Sequence, residues 1–141
     1  AATGKPLANY WLHNAFLNMS EAKMAKSEGN IITLKILEER GIHPLAYRYF
    51  LIQARYNSPI NFSWEALEGA QSGFERLVKQ LRNFDVRGSG DSNLRRQNSY
   101  LNKFKNFIED DLDTPSVLAL IQEVLKDDSL NDGDKKAIIL E

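Results

Sequence analysis

Lys23 and Lys26 stand three residues apart in Lys23-Met24-Ala25-Lys26-Ser27, which runs on into Glu28-Gly29-Asn30. A lysine ammonium is a compact, strongly hydrated charge on a flexible stem, suited to following a phosphate whose charge moves during reaction. Two of them on a short Ser-x-Gly-Asn loop could therefore serve phosphate chemistry. Gly29 can take a positive φ and Asn30 can hydrogen-bond locally, so both suit a turn. The same stretch taken alone also describes a solvated basic turn. Its flanks must decide.

Other residues that could do chemistry are few. The chain has no cysteine, which removes disulfides, thiolate zinc sites and cysteine nucleophiles from it. His13 and His43 are its two histidines, so a zinc centre built from this chain alone is not expected. His13, set among aromatic residues, reads as structural before it reads as a ligand contact. Tyr10 and Trp11 read first as core packing and second as flanks for a ligand. Arg48 and Arg55, seven residues apart, would fall on one line of a helix, facing solvent, nucleic acid or carboxylates of a domain missing from this chain. Arg82, Arg87, Arg95 and Arg96 gather around Val86 to Asn93; such side chains make salt-dependent phosphate contacts, and the competing reading is a solvated charge run. Asp110 and Asp111 read as tuning a helix break, with no metal site expected there. A net charge of -1 makes no global electrostatic case for nucleic acid, so any such case is local.

The elements that must position these residues follow from pattern. With 141 residues, 43% hydrophobic and 26% charged, the chain can bury a core and has ordinary soluble composition. The start lacks a secretory h-region, and no apolar run is long enough for a membrane span. It begins without methionine and ends just after Ala137-Ile138-Ile139-Leu140, which leads us to expect a fragment of a longer protein. Tyr10 to Met19 reads as extended, followed by a turn at Ser20-Glu21-Ala22. Thr33 should cap a helix over Leu34 to Arg40 that Gly41 closes. Pro44 opens a second helix, Leu45 to Tyr56, apolar almost all round. Residues 58 to 63 read as a loop, and Ser63 caps a long helix to about Phe84. Its core stripe is Trp64, Leu67, Gln71, Phe74, Leu77/Val78 and Leu81. Gly69 and Gly73 would admit a close neighbour. After a flexible linker at about 86–93 comes a helix from Leu94 through Ile108. Thr114 as cap and Pro115 start the next, and a last helix begins near Asp132. The expected fold is mainly α: a short extended opening segment and lysine loop, two short helices, then an up-down helical bundle.

Three stretches around the lysine loop carry a family resemblance. Asn9-Tyr10-Trp11-Leu12-His13-Asn14-Ala15-Phe16-Leu17 resembles the strand that enters this loop in cysteinyl-tRNA synthetases, a branch of the class I aminoacyl-tRNA synthetases. His43-Pro44-Leu45-Ala46-Tyr47-Arg48-Tyr49-Phe50-Leu51 with Tyr56-Asn57-Ser58-Pro59-Ile60-Asn61-Phe62-Ser63 resembles the helix and loop behind that active site. Asp110-Asp111-Leu112-Asp113-Thr114-Pro115 is similar to an Asp-Asp-Leu-Asn-Thr-Pro element of the helical domain. Order and spacing agree over nearly the whole chain. The lysine motif alone would indicate only class I; the other stretches favour the cysteinyl branch.

The resemblance implies a fragment of a Rossmann-like class I synthetase. Residues 1–62 would end the catalytic domain, with lysine loop and stem-contact region, and residues 63–141 would form the helical bundle domain. The parent would activate cysteine with ATP and Mg²⁺ and transfer it to tRNA(Cys) in the cytoplasm. Lys23 and Lys26 would be catalytic, stabilising the departing pyrophosphate, and Lys23, Met24, Lys26 and Ser27 would bind ATP. Arg82, Arg87, Arg95 and Arg96 would meet the tRNA. The family's zinc, and the histidine motif gripping ATP from the other side, belong to an N-terminal catalytic half, so this chain alone is expected to be inactive. Two departures stand out. Ala25 replaces the motif's middle serine, which bears on loop geometry, and Glu28 replaces a usual leucine, placing a carboxylate beside the phosphate site. Two other readings remain at this point: an autonomous helical RNA- or protein-binding module, and a related ligase joining cysteine to a sugar amine.

Overall fold

Among the described residues the elements run β1 (Leu17–Met19), α1 (Leu34–Glu39), α2 (Pro44–Leu51), β2 (Ile60–Phe62), α3 (Trp64–Arg82), α4 (Leu94–Glu109), α5 (Thr114–Lys126) and α6 (Asp132–Leu140). This computed structural model describes residues 4, 6–19, 32–84 and 94–140. The mainly α expectation holds. β1 and β2 pair in parallel, Leu17 opposite Ile60 and Met19 opposite Phe62. Parallel strands need a long crossover, and residues 20–59, which carry α1 and α2, provide it.

Several helix ends follow the expected chemistry. Thr33 Oγ1 accepts from the Ile36 amide at 3.3 Å, capping α1. Gly41, at φ 74°, closes it. The Ile42 amide reaches Leu37 O at 2.8 Å and the Gly41 amide reaches Glu38 O at 2.9 Å, the paired bonds of a Schellman end. Ser63 Oγ accepts from Ala66 N at 3.1 Å to cap α3. The His43 ring Nδ1 caps α2 by accepting from Leu45 N at 3.1 Å.

Five expectations need correction. Tyr10 to Met19 becomes a strand only at Leu17–Met19, because only that part has a partner, β2. Tyr10 is 93% and Trp11 64% exposed, so neither packs in the core. Residues 60–62, read as loop, are β2. α2 stops at Leu51 instead of Tyr56. Arg55 therefore lies past the helix end, off the line of Arg48. Finally Asp113, not Thr114, caps α5: its carboxylate accepts from Ser116 N at 3.2 Å and from Ser116 Oγ at 2.8 Å. Of the two α3 glycines, Gly73 meets a neighbour, where a Cβ would lie 3.5 Å from Tyr49 Cε1, whereas Gly69 faces open space among the described residues. The linker expected at 86–93 lies outside the described residues.

Packing forms two cores. Leu37, Ile42, Phe50, Phe62, Leu67 and Ala70 make the first, with α3 laid along α2. Gln71 ties α3 to the α1–α2 corner, accepting from His43 N at 2.9 Å and donating to Gly41 O at 3.3 Å. Tyr100, Leu120, Val124 and Leu130 make the second, within α4, α5 and the turn before α6.

Candidate functional site

Lys23, Met24, Lys26 and Ser27, with Ala25, Glu28, Gly29 and Asn30, lie outside the described residues. Their two stems are described. β1 precedes them, hydrogen-bonded to β2, and Ile32 follows them, packed on the first core. Leu17 on one stem and Ile32 on the other thus pack against the same core. Rigid elements hold a catalytic loop's ends more reliably than further loop would.

Beneath β1 lies a cleft of about 400 Å³, lined by Phe16, Leu17, Tyr47, Tyr56, Ile60 and Leu112 among others. Its floor is the turn from Ala54 to Ile60. The Ala15 amide donates to Tyr56 O at 2.7 Å and the Ile60 amide to Phe16 O at 3.2 Å, fastening that turn to the chain entering β1. His13 sits nearby in sequence, exposed, its ring stacked on Trp11 with centroids 6.2 Å apart.

The other side of the turn grips the corner between α4 and α5. Arg55 donates to Asp113 at 2.5 Å and to Asp110 at 3.1 Å. Tyr56 donates its hydroxyl to Asp111 at 2.6 Å, and Asn57 donates to the same carboxylate at 3.0 Å. Thr114 Oγ1 donates to Ala54 O at 3.3 Å. Hydrogen bonds to Asp113 and Asp110 raise the Arg55 pKa, and the bond to Asp111 raises that of Tyr56. Asp113 is lowered, chiefly by the Ser116 hydroxyl and then by Arg55 against opposing desolvation. Arg55 thus pairs with carboxylates of this chain, which replaces the expectation that it faces solvent, tRNA or a missing domain. Arg48 is exposed on α2. Asp111, at φ 53°, does sit at the helix break, and Leu112 follows at φ 56°. Sequence reasoning missed Arg55's partners because they lie 55 and 58 residues away.

Of the expected tRNA-facing arginines, Arg87 lies outside the described residues. Arg82 is exposed in the last turn of α3, and Arg95 is exposed in the first turn of α4. Arg96 Nε donates to Asp127 at 2.9 Å. Arg95, Arg96, Ser99, Tyr100, Lys103 and Glu123 line an open recess of about 390 Å³. Lys103 is a member that sequence reasoning missed. It lies seven and eight residues beyond Arg96 and Arg95, so helical spacing could have found it. Its ammonium is 2.7 Å from Glu123.

Among the described residues no group of three or more His, Cys, Asp or Glu side chains could hold a metal ion. With no cysteine in the chain either, a thiolate zinc site has no donors here. No described helix is long and apolar enough to cross a membrane.

Comparison with known proteins places the sequence in a family. Residues 1–72 match the family described as tRNA synthetases class I (C) catalytic domain. The cysteine–tRNA ligase of Synechococcus elongatus is 39% identical over 131 residues, covering 90% of this chain and 27% of that protein. That of Synechococcus sp. strain JA-3-3Ab is 43% identical over 128 residues, covering 89% and 24%. That of Chlorobium chlorochromatii is 37% identical over 141 residues, covering 99% and 28%. The chain therefore spans about a quarter of the length of the curated relatives it matches. With residues 1–72 matched by the family model and the likeness to its relatives running on through α4 to α6, the chain belongs to the class I tRNA synthetase (C) catalytic-domain family.

Proposed function

We propose that this chain is a piece of a cysteine–tRNA ligase, which activates cysteine with ATP and passes it to the terminal adenosine of tRNA(Cys). The observation that carries this reading is the likeness to cysteine–tRNA ligases over 89–99% of the chain, helical part included. A ligase with a sugar-amine acceptor would share the lysine loop but would have little use for the helical unit.

In the activation step the cysteine carboxylate attacks the α-phosphorus of MgATP and pyrophosphate leaves. Negative charge builds on the departing oxygens, and preorganised cations there lower the barrier. Lys26 is assigned that role, with Lys23 sharing it, and Met24 and Ser27 are assigned with them to binding ATP. Lysine suits the task because its charge can follow the phosphate on a flexible stem. Residues 1–62 are assigned to the end of the catalytic domain and 63–141 to the helical domain. Since Leu67 and Ala70 pack into the first core, that boundary divides roles and not packing. Arg82, Arg87, Arg95 and Arg96 are assigned to the tRNA backbone. Zinc ligands, the second half of the ATP site and most of the cysteine pocket are assigned to the remainder of the parent, N-terminal to these residues, working in the cytoplasm. The 141-residue chain alone should therefore be inactive.

The test is cysteine-dependent ATP–pyrophosphate exchange by the full-length protein, followed by cysteine attachment with either tRNA or a sugar amine as acceptor. Exchange with transfer to tRNA supports the reading. No cysteine-dependent exchange, or transfer to the amine alone, overturns it.

A further inference from the structure

The two cores share no residue. Among the described residues the side-chain hydrogen bonds that join them gather at one place: Arg55, Tyr56 and Asn57 on the first unit, and Asp110, Asp111 and Asp113 on the second. A polar joint between units leaves their relative motion as the default unless something locks it. Here charge-assisted bonds do so, and these are stronger and more directional than neutral ones. The gripped corner is itself strained. Asp111 and Leu112 both hold positive φ, a conformation that non-glycine residues keep only when their surroundings impose it. Those surroundings are the backbone bonds that end α4, from Leu112 N to Ile108 O and Asp113 N to Phe107 O, together with the Tyr56 and Asn57 side chains on the Asp111 carboxylate.

We infer that Arg55 and Tyr56, closing on Asp110, Asp111 and Asp113, form a lock that fixes the angle between the nucleotide-side unit and the α4–α6 unit, making them positioning residues for transfer to tRNA more than for activation. The inference rests on the proposed ligase function for its kinetic half only. Activation needs the unit that carries the lysine motif. Transfer needs a tRNA held by both units at once, so it is sensitive to the angle between them.

Asp113 is a poor probe, because it also caps α5. Arg55→Gln and Tyr56→Phe in the full-length protein are better, with Arg55→Lys as the conservative rescue. Arg55→Gln should lower kcat/KM for tRNA cysteinylation about tenfold, within the range that misplacement remote from the chemistry can cause. Tyr56→Phe should lower it less, Arg55→Lys should recover part of the loss, and cysteine-dependent pyrophosphate exchange should fall by a smaller factor than transfer in all three. Equal losses in exchange and transfer, or no loss in either, would overturn the lock. Amide hydrogen exchange supplies a readout that does not depend on the enzyme reading. The Leu112 and Asp113 amides, bonded to Ile108 O and Phe107 O, should exchange faster in Arg55→Gln, while Leu120 and Val124 in α5 keep their protection. If corner and α5 amides change together, or neither changes, Arg55 is only a packing residue. Should Arg55→Gln fail to fold, Tyr56→Phe decides by the same two measurements. Absence of exchange activity in the unsubstituted protein would sink the function and leave the hydrogen-exchange test standing.

Discussion

Arg96 Nε lies 2.9 Å from Asp127 Oδ2, tying the first turn of α4 to the residue that ends α5. The Tyr100 hydroxyl donates to the same oxygen at 2.8 Å, while Ser129 donates its hydroxyl and amide to the other at 2.6 and 3.0 Å. One carboxylate therefore gathers α4, α5 and the turn toward α6.

These bonds hold the Asp127 carboxyl far below the usual range, the Ser129 hydroxyl first and Tyr100 next, against opposing desolvation. A group whose folded pKa is depressed stabilises fully above its unfolded pKa, about 4, and loses that contribution as pH falls through the folded value. Denaturation midpoints measured from pH 7 to pH 2 should be level in this contribution down to about pH 4 and then decline. Asp127→Asn should lower the midpoint at pH 7 and flatten the acid decline. An unchanged acid limb would contradict the assignment.

Arg95 and Arg96 should separate in tRNA binding by the full-length protein. Arg95 is exposed, whereas Arg96 is engaged with Asp127. Arg95→Gln should reduce the slope of log affinity against log salt by about 1, the signature of one lost phosphate contact. Arg96→Gln should do so less and should lower thermal stability instead. Filter binding across a salt series, with melting curves, checks both.

Gly69 lies inside α3, and a Cβ at that position would have nothing within 4 Å among the described residues. Gly69→Ala should therefore stabilise by about 0.5–1 kcal/mol through lower unfolded-state entropy and better helix propensity. Gly73→Leu should destabilise, since the branch must pass Tyr49. Chemical denaturation of the two variants gives opposite signs if α2 and α3 pack as described.

Phe62 is 1% exposed and meets Phe50 and Trp64 edge to face at ring distances of 6.0 and 5.1 Å. Phe62→Ala should cost about 3–5 kcal/mol through lost burial and a cavity. Leu45 is 48% exposed, and Leu45→Ala should cost under about 1 kcal/mol. Comparable losses at both positions, by urea denaturation, would contradict the burial pattern.

Local chemistry was legible in the sequence wherever it acts within one turn. Thr33, Gly41 and Ser63 end or begin helices where their side chains or φ require it. In Asp113-Thr114-Pro115 two adjacent residues can cap, and Ser116 makes Asp113 the cap while Thr114 turns to Ala54. β2 was illegible because Ile-Asn-Phe is too short to show a period, and its partner lies 43 residues earlier. The apolar run through Ile52 and Ala54 hid the end of α2, so Arg55 was set on the wrong line. Tyr10 and Trp11 carry core-like side chains that the described residues do not cover. For the site, two lysines and a turn point only to phosphate chemistry in general, and the flanking stretches gave the family. The lock at Arg55 is a long-range pairing that no local pattern encodes.

Lys26 offers the most direct test of the proposed chemistry, through the rate of cysteine-dependent pyrophosphate exchange by full-length Lys26→Ala. We expect kcat to fall about 10²- to 10³-fold, as when a preorganised charge is removed from a developing oxyanion, with the KM for cysteine nearly unchanged. An unchanged kcat with a raised KM would contradict a role for Lys26 in the transition state.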